Sequence, residues 1–133
     1  STMPDSARDR PASAHESMFL FAKSKRYHYD LDAVREGANE RNIRNVWAIG
    51  TGQFEGSHYA VFPPQLVIPC VKAGCPPDGI VLDPFMGSGT TAQVAQDYGR
   101  QWLGFDLDKR NLELVNRRTR QRSLLSLMSR SIA

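Results

Sequence analysis

Residues 80–92 read Ile-Val-Leu-Asp-Pro-Phe-Met-Gly-Ser-Gly-Thr-Thr-Ala. Ile80, Val81 and Leu82 are a short apolar run of the kind a strand buried on both faces carries. Asp83 ends the run, and Pro84 cannot donate to a sheet ladder. Gly87 and Gly89 permit a sharp turn and a close backbone approach to a ligand. Thr90 and Thr91 are suited to cap a helix running through Ala92 and Val94 to Tyr98. The stretch thus predicts strand, glycine loop, helix: a nucleoside-cofactor site at the carboxyl end of a parallel strand, and an α/β fold. The alternative is a glycine turn that holds no ligand.

Several cofactors suit such a loop. Gly87 to Ala92 fits the dinucleotide pattern G-x-G-x-x-G/A, a weak match by itself. A phosphate-binding P-loop is excluded, because no Lys follows the last Gly. The order of elements around the loop agrees with a βαβ unit. Pro63 and Pro64 open a predicted helix through Leu66, Val67 and Ile68 to Gly74, with a kink at Pro69. Cys75 to Gly79 is a turn into the central strand. Downstream, Gly99 is a helix stop. Gln101–Phe105 is a second parallel strand ending at Asp106, and Asp108 caps a helix from Lys109 to about Gln121, with Ser123 to Ala133 either continuing it or fraying. Asp106 falls about 20 residues beyond the glycine loop, where an acid hydrogen-bonds ribose hydroxyls in nucleoside-binding folds. Leu112, Leu114 and Val115 supply the apolar side of the last helix. Arg117, Arg118, Arg120 and Arg122 crowd its predicted end, where cations suit the dipole. A DNA-binding patch is the second reading of these arginines.

The amino-terminal part is less regular. Residues 1–14 read as a polar loop, 17–22 as a buried strand, and 31–36 as partly helical. Val46 to Ile49 is a short apolar patch, followed by a loop containing Gly50, Gly52 and Gly56.

Length and composition bound the reading. The 133 residues suit one domain, and 41% hydrophobic with 23% charged residues is ordinary for a globular chain. The formal charge of +3 permits an anionic partner without demanding one. Cys70 and Cys75 lie outside any metal-ligand spacing and are too few for a disulfide scaffold, so they read as structural thiols in a reducing compartment. No apolar run has membrane-spanning length, and no signal peptide is visible; the expected location is the cytoplasm.

Taken together, Asp83-Pro84-Phe85-Met86-Gly87-Ser88-Gly89-Thr90 resembles the cofactor motif of the amino-methylating DNA methyltransferases, the N4-cytosine and N6-adenine family. Gly104-Phe105-Asp106 is similar to the family's Gly-x-Glu/Asp, and His58-Tyr59-Ala60-Val61-Phe62-Pro63 to its H-x-A-x-F-P segment. Further upstream, Asp9-Arg10-Pro11, His15-Glu16, Phe19 to Ser24 and Tyr27 look like the later half of the catalytic region in phage and restriction-associated members, and Arg44-Asn45-Val46-Trp47 looks like the R-x-V-W segment that follows it. The likeness runs from about residue 3, at Met3-Pro4-Asp5-Ser6, to about residue 122.

The resemblance implies a Rossmann-like sheet, S-adenosylmethionine as cofactor, DNA as partner, and a bacterial or phage-infected cell. It implies a cofactor site of His58, Phe62, Pro63, Asp83, Pro84, Phe85, Met86, Gly87, Ser88, Gly89, Thr90, Thr91 and Asp106. Asp83 and the loop would hold the methionine end, Asp106 the ribose, and Phe62 and Phe85 would pack around the cofactor. It also implies segments: 1–29 from the catalytic half, 30–57 for target recognition, and 58–122 as the cofactor-binding β-α-β-α unit.

One departure bears on mechanism. The family's Asp/Asn/Ser-Pro-Pro-aromatic motif, which accepts the amine hydrogens and stacks on the base, has no counterpart here. Cys75-Pro76-Pro77-Asp78 is similar but lacks the aromatic. Pro69-Cys70 has the look of the carbon-5 methyltransferase nucleophile, but precedes the glycine loop rather than following it. The expectation is therefore the cofactor-binding half of a DNA amino-methyltransferase: no catalytic residue of its own, no metal, and inactive alone. It is expected to pair with a second chain or with itself. The rivals are an inactive cofactor-binding remnant and a nucleotide-dependent oxidoreductase fragment. The latter leaves Asp-Pro-Phe and 58–63 unexplained. The choice between cytosine and adenine stays open, with the amino-terminal likeness leaning to cytosine.

Overall fold

Pro64 starts α1, Pro64–Gly74, at a position where the missing N–H leaves no intrahelical bond unmade. A computed structural model describes residues 8–11, 15–36, 41–50 and 61–130, with side chains through residue 119. The helix runs through Pro69 rather than stopping there. It ends where buried Cys75 returns its amide to the Val71 carbonyl at 3.1 Å. A short 3-10 turn, Asp32–Val34, lies against α1, with Val34 buried. Asp30 ties it down, its amide bonding the Ala73 carbonyl at 2.8 Å and its carboxylate accepting the Ala33 amide at 3.0 Å. This is the helical content expected over 31–36.

The predicted βαβ unit is present. Strand β1, Ile80–Asp83, is joined through α2, Thr90–Asp97, to strand β2, Gln101–Gly104. The strands are parallel, with Ile80 opposite Gln101 and Asp83 opposite Gly104. Gly99 stops α2 as expected, at φ +70°, a backbone conformation glycine adopts without a side-chain penalty. Helix α2 is the central element, packing on α1, on α3 (Lys109–Arg130) and on both strands. Ala92, Val94 and Ala95 are almost wholly buried there; two alanines let neighbouring backbones approach closely.

Three expectations fail. β1 is covered on one face only. Val81 and Trp102 are half-buried, and Trp102 packs on the core of Met86, Ala92 and Val115. Ile80, Leu82 and Leu103 point to the other, open face. Residues 17–22 form no strand, and Met18, Phe19, Leu20 and Phe21 are exposed. An apolar run needs a ladder partner to become a strand, and among the described residues β1 and β2 pair only with each other. Finally, α3 continues to Arg130, so Arg117, Arg118, Arg120 and Arg122 lie inside the helix, away from the dipole's negative end. Leu112 lies on its exposed side, while Val115 is buried. No described helix is long and apolar enough to cross a membrane.

Candidate functional site

The loops after β1 and β2 are stitched together beyond the ends of the strands. The Phe105 amide donates to the Asp83 carbonyl at 3.0 Å, and the Met86 amide to the Phe105 carbonyl at 2.9 Å. Asp83 closes its own turn, one carboxylate oxygen accepting the Phe85 amide at 2.9 Å. That turn drives Met86 into the core and Phe85 outward, 85% exposed. Gly89 then bonds back to the Met86 carbonyl at 2.9 Å and is the N-cap of α2, at φ +86°. No side chain caps α2. Its first-turn amides therefore face the carboxyl edge of the sheet without a side-chain acceptor, an arrangement that favours an anion.

Asp106 joins the two loops. Its Oδ2 accepts the Gly87 amide at 2.7 Å; its Oδ1 accepts the Asp108 amide at 2.8 Å and Asn111 Nδ2 at 3.0 Å. The Asp108 amide, the Asn111 side chain and the Gly87 amide, in that order, hold its carboxyl below the usual carboxylate range. Asp106 is thus ionised at neutral pH. A depressed folded-state pKa stabilises the fold above the unfolded value, about 3.9, and that contribution is lost as pH falls through the folded value. Asp106→Asn should therefore be less stable than the native chain at pH 7, with the gap closing under acid. Urea unfolding at pH 7 and at pH 3 measures it; a gap that widens in acid would contradict the assignment.

The structure corrects one reading of the loop and adds to another. Thr90 and Thr91 are not caps: both lie inside α2, buried, and Thr90 Oγ1 accepts a bond from Arg118 Nη1 at 2.9 Å. Gly89 has a packing reason to be small. A Cβ there would stand 2.9 Å from Val115 Cγ2 and 3.1 Å from Val115 Cα, so its neighbour is α3. Gly87, at φ +51°, would bring a Cβ only into ordinary contact, 3.8 Å from the Phe85 carbonyl oxygen.

Asp83, Pro84, Phe85, Met86, Gly87, Ser88, Gly89, Thr90, Thr91 and Asp106 come together at one edge. Phe62 and Pro63 stand at the entry to α1, Pro63 as its N-cap. His58 lies outside the described residues. Asp108 caps α3 as expected, its Oδ1 accepting the Arg110 amide at 3.0 Å. Cys70 and Cys75 are free thiols; desolvation raises the Cys70 thiol, whose Sγ lies 3.2 Å from Met18 Sδ.

Sequence reasoning missed one face of α3. Asn111, Val115 and Arg118 are spaced i, i+4, i+7, and each touches the site: Asn111 on Asp106, Val115 under Gly89, Arg118 on Ser88 and Thr90. The signal was available, because the Asp108 cap sets the phase of the helix.

Known proteins resemble this chain in sequence and fold. The profile of the DNA methylase family matches residues 1–117. The chain is 47% identical over 116 residues to the Type II methyltransferase M.XycI of Xanthomonas campestris pv. cyanopsidis, spanning 85% of this chain and 39% of that protein. It is 44% identical over 119 residues to M.Cfr9I of Citrobacter freundii, spanning 86% of this chain and 40% of that one. Two solved structures share its fold at 24% identity, each over 70% of this chain. They are the M1.HpyAVI–SAM complex, with TM-score 0.56 and 44% of that chain covered, and the cytosine-N4-specific PvuII DNA methyltransferase, with TM-score 0.51 and 42% covered. The chain spans well under half the length of these two relatives. With that profile match and these identities over most of its length, the chain belongs to the DNA methylase family and has its Rossmann-like α/β fold.

Proposed function

We propose that this chain is the S-adenosylmethionine-binding half of a site-specific DNA amino-methyltransferase of a restriction–modification system, acting in the cytoplasm of a bacterial or phage-infected cell. The observation that carries it is the 2.7 Å bond from the Gly87 amide to Asp106 Oδ2, which brings the Asp-Pro-Phe-x-Gly-x-Gly-Thr loop and the strand-end acid to one edge.

The residues present fit the cofactor. The uncapped first turn of α2 suits its carboxylate. Asp83, with only Oδ1 engaged by Phe85, offers its other oxygen to the ammonium. Asp106 Oδ2 accepts one amide and has capacity for a ribose hydroxyl. Phe85 and the half-exposed Phe62 offer apolar surface. The cofactor, when bound, supplies a methyl on a sulfonium that an exocyclic amine attacks directly. No enzyme nucleophile is needed, in keeping with the raised Cys70 thiol. The chain's own part is to hold the donor in one orientation and to keep Asp106 ionised.

The finer assignments follow the resemblance. The acceptor is the N4 amine of cytosine in preference to the N6 amine of adenine. Residues 30–57 form the target-recognition segment. Its described part and α1 enclose an open groove of about 410 Å³, lined by Arg35, Trp47 and Lys72 among others. The missing Pro-Pro-aromatic string favours a second reading, a cofactor-binding remnant or partner subunit without activity of its own.

Calorimetry separates this reading from the oxidoreductase one. S-adenosylmethionine or its demethylated product should bind, and NAD should not. NAD binding without S-adenosylmethionine binding would falsify the assignment. Asp106→Ala should weaken cofactor binding about tenfold or more, by stranding its hydrogen-bonded partners.

A further inference from the structure

The glycine loop is gripped from behind by one face of α3. Val115 fills the space beneath Gly89, leaving no room for a Cβ. One turn further on, Arg118 Nη1 donates to Thr90 Oγ1 at 2.9 Å and to Ser88 Oγ at 3.3 Å. Three consecutive residues, Ser88 to Thr90, are therefore fixed by two side chains spaced i, i+3. Both hydroxyls are buried, Ser88 at 6% and Thr90 at 3% exposure, where each must be hydrogen-bonded to be tolerated.

The placement has an electrostatic consequence. Thr90 is the first residue of α2 and Ser88 precedes its N-cap. A guanidinium bonded to both stands beside the positive end of the α2 dipole. That juxtaposition disfavours a helix end with no anion and strengthens the site for one that has it.

We propose that Arg118 is a positioning residue for the carboxylate end of the cofactor: through Ser88 and Thr90 it sets loop 87–90 and the first-turn amides of α2, and its charge adds to theirs. This rests on the S-adenosylmethionine reading above. It differs from the role of Asp106, which serves the ribose.

The test compares two ligands on the 133-residue chain by calorimetry. S-adenosylhomocysteine carries the amino-acid end; 5′-methylthioadenosine keeps the adenosine and the thioether but lacks it. Arg118→Met should weaken S-adenosylhomocysteine about tenfold or more, the loss expected for removing a charged hydrogen-bond donor, and leave 5′-methylthioadenosine within about twofold. Arg118→Lys, keeping charge with one ammonium, should recover part of the loss. Thr90→Val removes only the acceptor and should show the same selectivity if Arg118→Met does not fold. Equal loss of both ligands in a folded variant would make Arg118 a general brace and overturn the proposal, as would unchanged affinity for both. If the native chain binds neither ligand, the cofactor reading itself falls, an outcome distinct from either.

Discussion

Gly89→Val should destabilise the fold by about 2–5 kcal/mol, combining a left-handed backbone penalty with overpacking against α3. The backbone at Gly89 has φ +86°, which a β-branched residue adopts only under strain. A Cβ would also meet Val115 at Cγ2, Cα and Cβ, between 2.9 and 3.3 Å. Two of those atoms cannot rotate away, so α3 must retreat. It carries Asn111 and Arg118 with it, and the bonds to Asp106, Ser88 and Thr90 lengthen together. Ser88→Ala is the contrast. It removes one long bond to Arg118 and should be worth only about 1 kcal/mol. Urea unfolding followed by the fluorescence of Trp102, which packs on Val115's cluster, reads both. A native unfolding midpoint for Gly89→Val would refute the packing argument. Lost cofactor binding at native stability would instead return the glycine to the role its motif first suggests, making room for a ligand.

Local signals carried the order of elements into the sequence. Pro64, Gly99 and Asp108 are punctuation whose chemistry acts within a few residues, and each does what its type predicts. The Asp83 and Asp106 positions were readable for the same reason: each ends an apolar run beside a turn. What could not be read depends on partners distant in sequence. Ile80, Val81 and Leu82 look alike, yet which of them is covered depends on which side α2 and α3 take. Met18 to Phe21 has strand composition without a strand beside it. Thr90 and Thr91 have capping side chains, but the left-handed turn at Gly89 moves the cap one residue earlier. The role of Arg118 needed both the helix phase and the knowledge that α3 runs on to Arg130, since an arginine at a helix end has a simpler explanation.

Purified alone, the 133-residue chain is expected to transfer no measurable methyl to DNA. The reaction needs a base flipped from the duplex, at a cost of a few kcal/mol, and groups that stack on it and accept the amine protons. Within these residues no Asp/Asn/Ser-Pro-Pro-aromatic string supplies them. The sheet is also unfinished among the described residues. Ile80, Leu82 and Leu103 lie on an uncovered face at 64%, 59% and 51% exposure, and both strands have an open edge. Apolar surface beside unpaired backbone donors and acceptors favours association, so pairing with a chain carrying the catalytic string, or with itself, should precede activity. The assay is tritium transfer from labelled S-adenosylmethionine to mixed-sequence DNA, with the chain alone and with a chain bearing that string added. The modified base is then identified as N4-methylcytosine or N6-methyladenine. Transfer only after mixing supports a split catalytic unit, and N4-methylcytosine is the expected product. Robust transfer by the chain alone would mean that other residues here do the catalysis. No transfer in either case, with cofactor binding intact, favours the remnant.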